Sequence, residues 1–189
     1  LMLSARPPGP ASTFGLPIVV DASSGGGSIT ADGPSGAALI VSVRSSQGIL
    51  YKRSAAGILS GPQFLYSAAP GQAYVDPAKV GADGTAVIGY FYTHILAGDP
   101  PTRIGAFVRK PGSTVFTGPY LIRSFPSSGV DVQLADTGVD RHGGIVAGWV
   151  ETRAGVATAK LGGLDSRAPT VKAVYVPVDD LVGARYMMS

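Results

Sequence analysis

The chain contains no cysteine and no asparagine, and only one of its twelve acidic residues is a glutamate. The absence of cysteine excludes disulfides, thiol nucleophiles and zinc–thiolate or iron–sulfur sites. The absence of asparagine removes every N-glycosylation acceptor. The net charge is only +3, and the lysines and arginines are scattered along the chain. Since nucleic-acid binding normally needs clustered basic residues, the sequence does not favour it.

Long apolar runs are also absent. No stretch approaches the ~18 consecutive apolar residues of a membrane-spanning helix. The first eight residues lack the charged and apolar regions of a signal peptide. We therefore expect the 189 residues to be a mature or excised segment of something longer.

Turn-forming residues are abundant instead. The chain has 27 Gly and 15 Pro, and 45% of its residues are hydrophobic. This apolar content is enough to drive folding, whereas the glycines and prolines leave little room for long helices. The preference for Asp over Glu also points to tight turns. The composition predicts an ordered, all-β protein.

Two landmarks recur along the chain in the same order. The first is an acidic turn before an apolar stretch, and its aspartates, 51 and 53 residues apart, are Asp32, Asp83 and Asp136. The second is a Gly-Pro or Gly-Leu-Pro step before a short apolar stretch, at 15–17, 61–62 and 118–119. A fixed period in this range indicates repeated structural units.

The same four strands can be predicted in each unit. The first strand enters the acidic turn (28–31, 78–82, 130–135), and the second follows it (37–43, 86–92, 145–150). The third strand is amphipathic (49–53, 104–109, 156–160), and the fourth follows the proline (64–66, 120–122, with a spare copy at 18–20). The second strands are almost wholly apolar, so we expect Leu39, Val87 and Val146 to be fully buried.

Four antiparallel strands per ~50 residues are typical of β-propeller blades. The sequence therefore predicts about three blades over residues 14–165, after an extended N-terminal segment, 1–13. A β-sandwich is the alternative, since short strands at regular spacing also occur there without a true repeat.

The acidic turn, the apolar strand that ends near Tyr92 or Trp149, and the Gly-Pro strand resemble the degenerate propeller repeats of large secreted bacterial surface proteins. The resemblance implies an extracellular or cell-surface location. Residues 166–189 resemble a linker and the start of an immunoglobulin-like or PKD-like module, although 171–176 can also be the missing fourth strand of the third blade.

A closed propeller usually needs at least four blades. Three blades leave apolar faces open, including those of 49–51 and 156–159, and a monomer rarely exposes such surfaces. The predicted partners are therefore further blades or domains of the same chain, or identical copies. Aromatic side chains suit such contacts, and the candidate anchors are Phe64, Phe107, Tyr120 and Trp149.

Candidate site residues are few. Tyr92, His94 and Asp99 are weak candidates for ligand binding, and Asp136, Asp140 and His142 for a metal site. The alternative for both sets is a solvated loop or a capped turn, and the spacing fits no EF-hand. Glu151, the only glutamate, is expected at the surface.

No catalytic residue and no cofactor is predicted, because the nucleophile-elbow and phosphate-loop patterns are missing. The favoured function is a non-catalytic structural or interaction module. The alternatives are a glycan-binding, lectin-like propeller and a non-catalytic part of a glycan-active hydrolase.

Overall fold

The computed structural model describes residues 1–5, 13–44, 47–67, 72–93, 101–126, 130–165 and 173–176. Within these ranges all regular structure is β, as the composition predicts. The first strands are β1 (Met2–Leu3), β2 (Ile18–Val19), β3 (Gly26–Ala31), β4 (Ala38–Arg44), β5 (Gln47–Arg53), β6 (Leu59–Ser67), β7 (Gln72–Val75) and β8 (Lys79–Val80). The remaining strands are β9 (Ala86–Thr93), β10 (Arg103–Arg109), β11 (Thr117–Ser124), β12 (Asp131–Val139), β13 (Ile145–Arg153), β14 (Val156–Leu164) and β15 (Ala173–Val176).

The strands form three antiparallel sheets and one small ribbon. Sheet I has the order β3-β4-β5-β6, and sheet III has the order β12-β13-β14-β15. In sheet II, β11, β10 and β9 are followed by β7, and β8 also pairs with β9. Strands β1 and β2 pair with each other in a two-stranded ribbon. Each sheet is built from strands that follow one another in the chain, so the all-β prediction is confirmed. Sheets I and III have four strands each, whereas sheet II has five.

The tail contributes the last strand of sheet III. Residues 173–176 pair with 161–164 of β14, so this part of the tail is the fourth strand of the third unit. Residues 166–172 and 177–189, which carry the rest of the predicted linker and following module, lie outside the described residues.

Two predicted strand positions are wrong. The first strand of sheet II, expected at 78–82, is divided into β7 and β8. Pro77 lies between the two segments and has no N–H to donate to a sheet ladder. The spare fourth strand at 18–20 does not join a sheet, because β2 pairs with β1.

The third acidic turn also lies at a different position from the predicted one. Residues Asp136 to Val139 belong to strand β12, and the turn follows at 140–144. Its backbone bonds match those of the second turn: Asp140 N–H donates to Gly144 O, as Gly81 N–H does to Thr85 O. In this alignment His142, rather than Asp136, takes the place of Asp83. The turn was predicted too early because Asp136-Thr137-Gly138 resembles the Asp-Gly pattern of the other turns, whereas the turn itself has His142-Gly143 at that position.

Sheets I and II pack face to face. Their shared core contains Leu39, Val41 and Leu50 of sheet I, together with Ile88 and Phe107 of sheet II. The opposite face of sheet II packs on sheet III. Because sheet II has a neighbour on both sides, three consecutive residues of β9, Ala86, Val87 and Ile88, are completely buried.

The core between sheets II and III is the larger of the two described. It includes Ile104 and Val108 of sheet II, with Ile145, Trp149 and Leu164 of sheet III. Trp149 is 1% exposed, and its ring meets that of Phe125 edge to face at a centroid distance of 6.4 Å. These aromatic groups fill the space between neighbouring sheets.

The N-terminal ribbon covers the other face of sheet I. Leu1 and Leu3 pack with Val20 against Ile40 and Ile49. Residues 49–51, which were expected on an open face, are therefore buried. The expectation failed because the ribbon contains too few residues to be recognised as a covering element.

Sheet III is covered on one face only within the described residues. Along β13 the side chains alternate, with Ile145, Ala147 and Trp149 buried against sheet II. Val146, which was predicted to be fully buried, points the other way and is 40% exposed. Leu39 and Val87, its counterparts in sheets I and II, are fully buried as predicted.

The Gly-Pro landmark corresponds to one structural feature in two of its three copies. Gly61-Pro62 and Gly118-Pro119 are both cis, and the two glycines have nearly equal φ values of 125° and 126°. Both lie where the fourth strand shifts its register against the third. Only glycine readily adopts this φ. The landmark at 15–17 lies outside any strand and does not share this geometry.

Two other glycines make room for large rings. A Cβ at Gly48 would collide with the Tyr66 ring on the neighbouring strand, and a Cβ at Gly162 would lie 2.9 Å from the Trp149 ring. In sheet I the small residue is on the third strand and the ring is on the fourth. In sheet III the small residue is again on the third strand, but the ring is on the second.

A buried ion pair joins sheets I and II at the end where the acidic turns lie. Both terminal nitrogens of Arg109, at the end of β10, donate to the carboxylate of Asp32 at 2.6 Å. Arg109 also donates to Gly84 O at 3.3 Å and lies over the Phe116 ring. The first turn, the second turn and the end of β10 are thereby linked.

In the part of the chain that the structure describes, no helix is long and apolar enough to cross a membrane.

Candidate functional site

The residues proposed for a metal site do not come together. Asp140 Oδ1 accepts the backbone N–H groups of His142 and Gly144 at 2.7 and 2.8 Å, so this carboxylate caps its turn. The His142 ring accepts a bond from Arg141 Nε at 2.9 Å. Asp136 pairs with Lys79 at 3.4 Å. Over the described ranges, no three His, Asp or Glu side chains are grouped so as to hold a metal ion.

The proposed ligand-binding set can be placed only in part. Tyr92 lies in β9 and is 5% exposed, so its ring belongs to the packed interior. His94 and Asp99 lie outside the described residues.

The aromatic anchor candidates occupy different environments. Phe107 and Trp149 are buried between sheets of the same chain. Tyr120 is half-buried, and its hydroxyl lies 2.9 Å from Thr117 Oγ1. Phe64, on β6, is 54% exposed. Of the four, Phe64 has the most exposed side chain.

A cleft opens between β11 of sheet II and the β13–β14 hairpin of sheet III, at the end opposite the acidic turns. Its volume is about 350 Å³. We call it the cationic cleft, because three of its six lining residues are basic. They are Arg123, Glu151, Arg153, Val156, Thr158 and Lys160.

The strand pairing brings these side chains to one face. Glu151 is opposite Thr158, Arg153 is opposite Val156, and Trp149 is opposite Lys160. Directly opposed residues share a face of the sheet, and here it is the face turned toward sheet II. Arg123 contributes from sheet II and lies over the Phe125 ring, 5.8 Å from its centroid.

Glu151 is the buried element of the cleft. It is 6% exposed, whereas the sequence indicated a surface group. Its Oε1 accepts the indole N–H of Trp149 at 3.0 Å, and its Oε2 lies 3.5 Å from Arg153 Nη2. Residues two positions apart on a strand share a face of the sheet. The order Trp149, Val150, Glu151 could therefore have indicated that Glu151 lies on the same buried face as Trp149.

A second, polar cavity of about 530 Å³ lies at the same end of the sheets. Its lining includes Thr93 and Thr102, which flank the segment containing His94 and Asp99, and also Asp131 and Thr152. Thr152 lines this cavity and Arg153 lines the cationic cleft, so consecutive residues of β13 reach two cavities.

A buried carboxylate lies between sheets II and III. Asp76 Oδ2 and Thr137 Oγ1 are both buried, and each would crowd a Cβ placed on Gly89. Burial, followed by the nearby charge of Asp136, raises the pKa of Asp76 to about 6. Asp76 is therefore protonated at a higher pH than an ordinary aspartate.

The uncovered face of sheet III is the remaining feature of note. Apart from Thr152, its residues on β13 and β14 include these small or apolar ones, which are half-buried or exposed: Val146, Gly148, Val150, Ala157, Ala159 and Leu161. We call it the outer face of sheet III.

Comparison with protein-family models and with curated proteins finds no match to this chain.

Proposed function

We propose that this chain is a three-blade part of a propeller-like, non-catalytic interaction module, and that it belongs to an extracellular or cell-surface protein. One observation carries the proposal. Three antiparallel sheets of four, five and four strands stack face to face in chain order, and the last of them has an outer face that is largely apolar along β13 and β14. The occupant we infer for that face is a further four-stranded sheet of the same kind.

The composition of the outer face supports this occupant. Sheet I lies between the ribbon and sheet II, and sheet II lies between sheets I and III. Their second strands are apolar on both sides. Strand β13 has the same character, since Val146 and Val150 alternate with buried Ile145 and Trp149. Strands that are apolar on both sides are typical of sheets covered on both faces.

The contacts between the described sheets indicate which interactions a further sheet would make. Each described junction combines apolar strand residues with polar links. Asp32 and Arg109 join sheets I and II, and Lys79 and Asp136 join sheets II and III. A further sheet on the outer face would add apolar contacts to Val146, Val150 and Leu161 in the same way.

Sedimentation of the 189-residue chain tests the proposal. We expect self-association at micromolar concentration, or binding of a dye that reports exposed apolar surface. A charge introduced on the outer face by Val146→Lys or Ala159→Lys should shift the chain toward monomer and reduce dye binding.

Val115→Lys is the matched control. Val115 is 53% exposed in the loop before β11, away from the outer face. This variant should associate like the parent. A parent chain that is monomeric and binds no dye would show that the outer face needs no partner, and the proposal would be wrong.

A further inference from the structure

We propose that the cationic cleft binds a carboxylate-bearing saccharide, such as a uronic acid unit within a glycan. The inference is independent of the stacking of further sheets, because the cleft lies between sheets II and III of this chain.

The charges of the cleft point to an anionic ligand. Three cations, Arg123, Arg153 and Lys160, line the cleft together with a single carboxylate, that of Glu151. The side chain of Arg153 is 57% exposed and that of Glu151 is 8% exposed, so the carboxylate lies at the base and the cation nearer to solvent. Arg and Lys donate charge-assisted hydrogen bonds to carboxylates, and such bonds are stronger than neutral ones.

Glu151 restricts which anion fits. A compact anion that carries no hydrogen at neutral pH, such as sulfate, would be attracted to the three cations but would face the Glu151 carboxylate with no hydrogen to donate. A sugar acid has one carboxylate, which holds the charge, and several hydroxyl groups that can donate hydrogen bonds. Its carboxylate can bind the cations while a hydroxyl donates to Glu151, whose oxygens each have a second lone pair.

The other two lining residues suit the rest of a sugar ring. Thr158, opposite Glu151 in the ladder, has a hydroxyl that both donates and accepts. Val156 is 67% exposed and provides an apolar surface at the cleft. A volume of about 350 Å³ lies at the small end of the range for ligand pockets, so a single ring within a longer glycan is the size we infer.

Calorimetric titration of the intact chain tests the site with three probes: a trigalacturonate, a neutral galactose trisaccharide and inorganic sulfate. We expect binding of trigalacturonate only. Arg123→Gln and Lys160→Gln should each weaken it by about tenfold or more, since each removes one charge-assisted contact.

Arg141→Gln is the control, because Arg141 is an exposed arginine in the turn at the opposite end of the sheets. It should bind like the parent, and the thermal midpoints of all three variants should match the parent. Sulfate binding as tight as that of trigalacturonate would show a general anion site. Equal binding of the neutral trisaccharide, no binding of trigalacturonate, or unchanged affinity in both cleft variants would also overturn the inference.

Discussion

The ion pair between Asp32 and Arg109 should be among the most sensitive polar contacts of the fold. Replacing Asp32 by Asn keeps the side-chain size but removes the charge that balances Arg109. The guanidinium then stays buried, since the Arg109 side chain is only 8% exposed and is held over Phe116. The change therefore affects a charge that water cannot easily solvate.

The magnitude follows from the burial of the two partners. Breaking a fully buried ion pair by removing one partner costs about 3–5 kcal/mol. The Asp32 side chain is 22% exposed, which lets some water reach the vacated position. We therefore expect Asp32→Asn to lower the free energy of unfolding by about 2–3 kcal/mol. For a domain of ordinary stability, about 5–15 kcal/mol, this is a large fraction.

Urea unfolding followed by the fluorescence of Trp149 is a suitable assay, because this tryptophan lies in the core between sheets II and III. Asp136→Asn provides the matched control. It removes the exposed partner of Lys79. The side chain of Lys79 is 40% exposed and that of Asp136 is 63% exposed, and Lys79 Nζ lies 3.4 Å from Asp136 Oδ2. Such surface pairs contribute about 0–1 kcal/mol.

A double variant, Asp32→Asn with Arg109→Met, completes the cycle. We expect the double variant to be more stable than Asp32→Asn alone, because no unpaired buried charge remains. Two results would refute the assignment of Arg109 as a buried charge that depends on Asp32. One is an equal loss of stability in Asp32→Asn and Asp136→Asn, and the other is a loss in the double variant equal to the sum of the losses in Asp32→Asn and Arg109→Met.

Three further predictions concern buried groups. The ionised form of Asp76 is disfavoured in the folded state, where burial raises its pKa to about 6. The free energy of unfolding should therefore rise as the pH falls from about 7 toward 4. Asp76→Asn should be more stable than the parent at pH 8, and identical pH profiles of unfolding for the two proteins would contradict this. Asp21 is the opposite case: its hydrogen bonds to Arg44 lower its pKa to about 2, with a further bond from Ser42. Its stabilising contribution should be present above the ordinary pKa of 3.8 and lost as the pH falls toward 2, and acid titration of Asp21→Asn should lack that loss. Finally, Val87→Asp should unfold the chain by leaving an unpaired buried charge, whereas Val146→Asp should be mild because Val146 is 40% exposed; equal thermal midpoints for the two variants would show that the two strands are buried alike.

Much of the fold could be predicted from the sequence because strand composition and turn chemistry are local properties. The apolar stretches at 37–43 and 86–92 are strands β4 and β9 to within a residue or so, and glycines at the turns allow the positive φ that their geometry needs. The misplaced third turn shows the limit of such patterns. Asp136 and Asp140 both precede a glycine at turn-like spacing, and only the pairing of β12 with β13 distinguishes them.

Burial by a neighbouring element could not be predicted in the same way. Val146 lies in a stretch as apolar as that of Val87, and the difference between them is whether a second sheet covers the strand. Ile49 shows the converse, since a ribbon of two short strands covers it. The cationic cleft brings together Arg123 and Lys160 from separate sheets. No local spacing connects these residues, and only the packing of sheet III on sheet II does.

The two glycine and ring pairs also have a consequence for how these units change in evolution. Gly48 contacts Tyr66 and Gly162 contacts Trp149, and in each pair a larger residue in place of the glycine fits only if the ring is replaced by a smaller side chain. Selection then acts on the combined volume of the pair and not on either residue alone. Substitutions should therefore be accepted in compensating pairs, and we expect different units to accumulate different pairs. Such units keep a common backbone while their residue identities drift apart, so correlated changes at paired positions should preserve a record of the repeat longer than any single conserved residue.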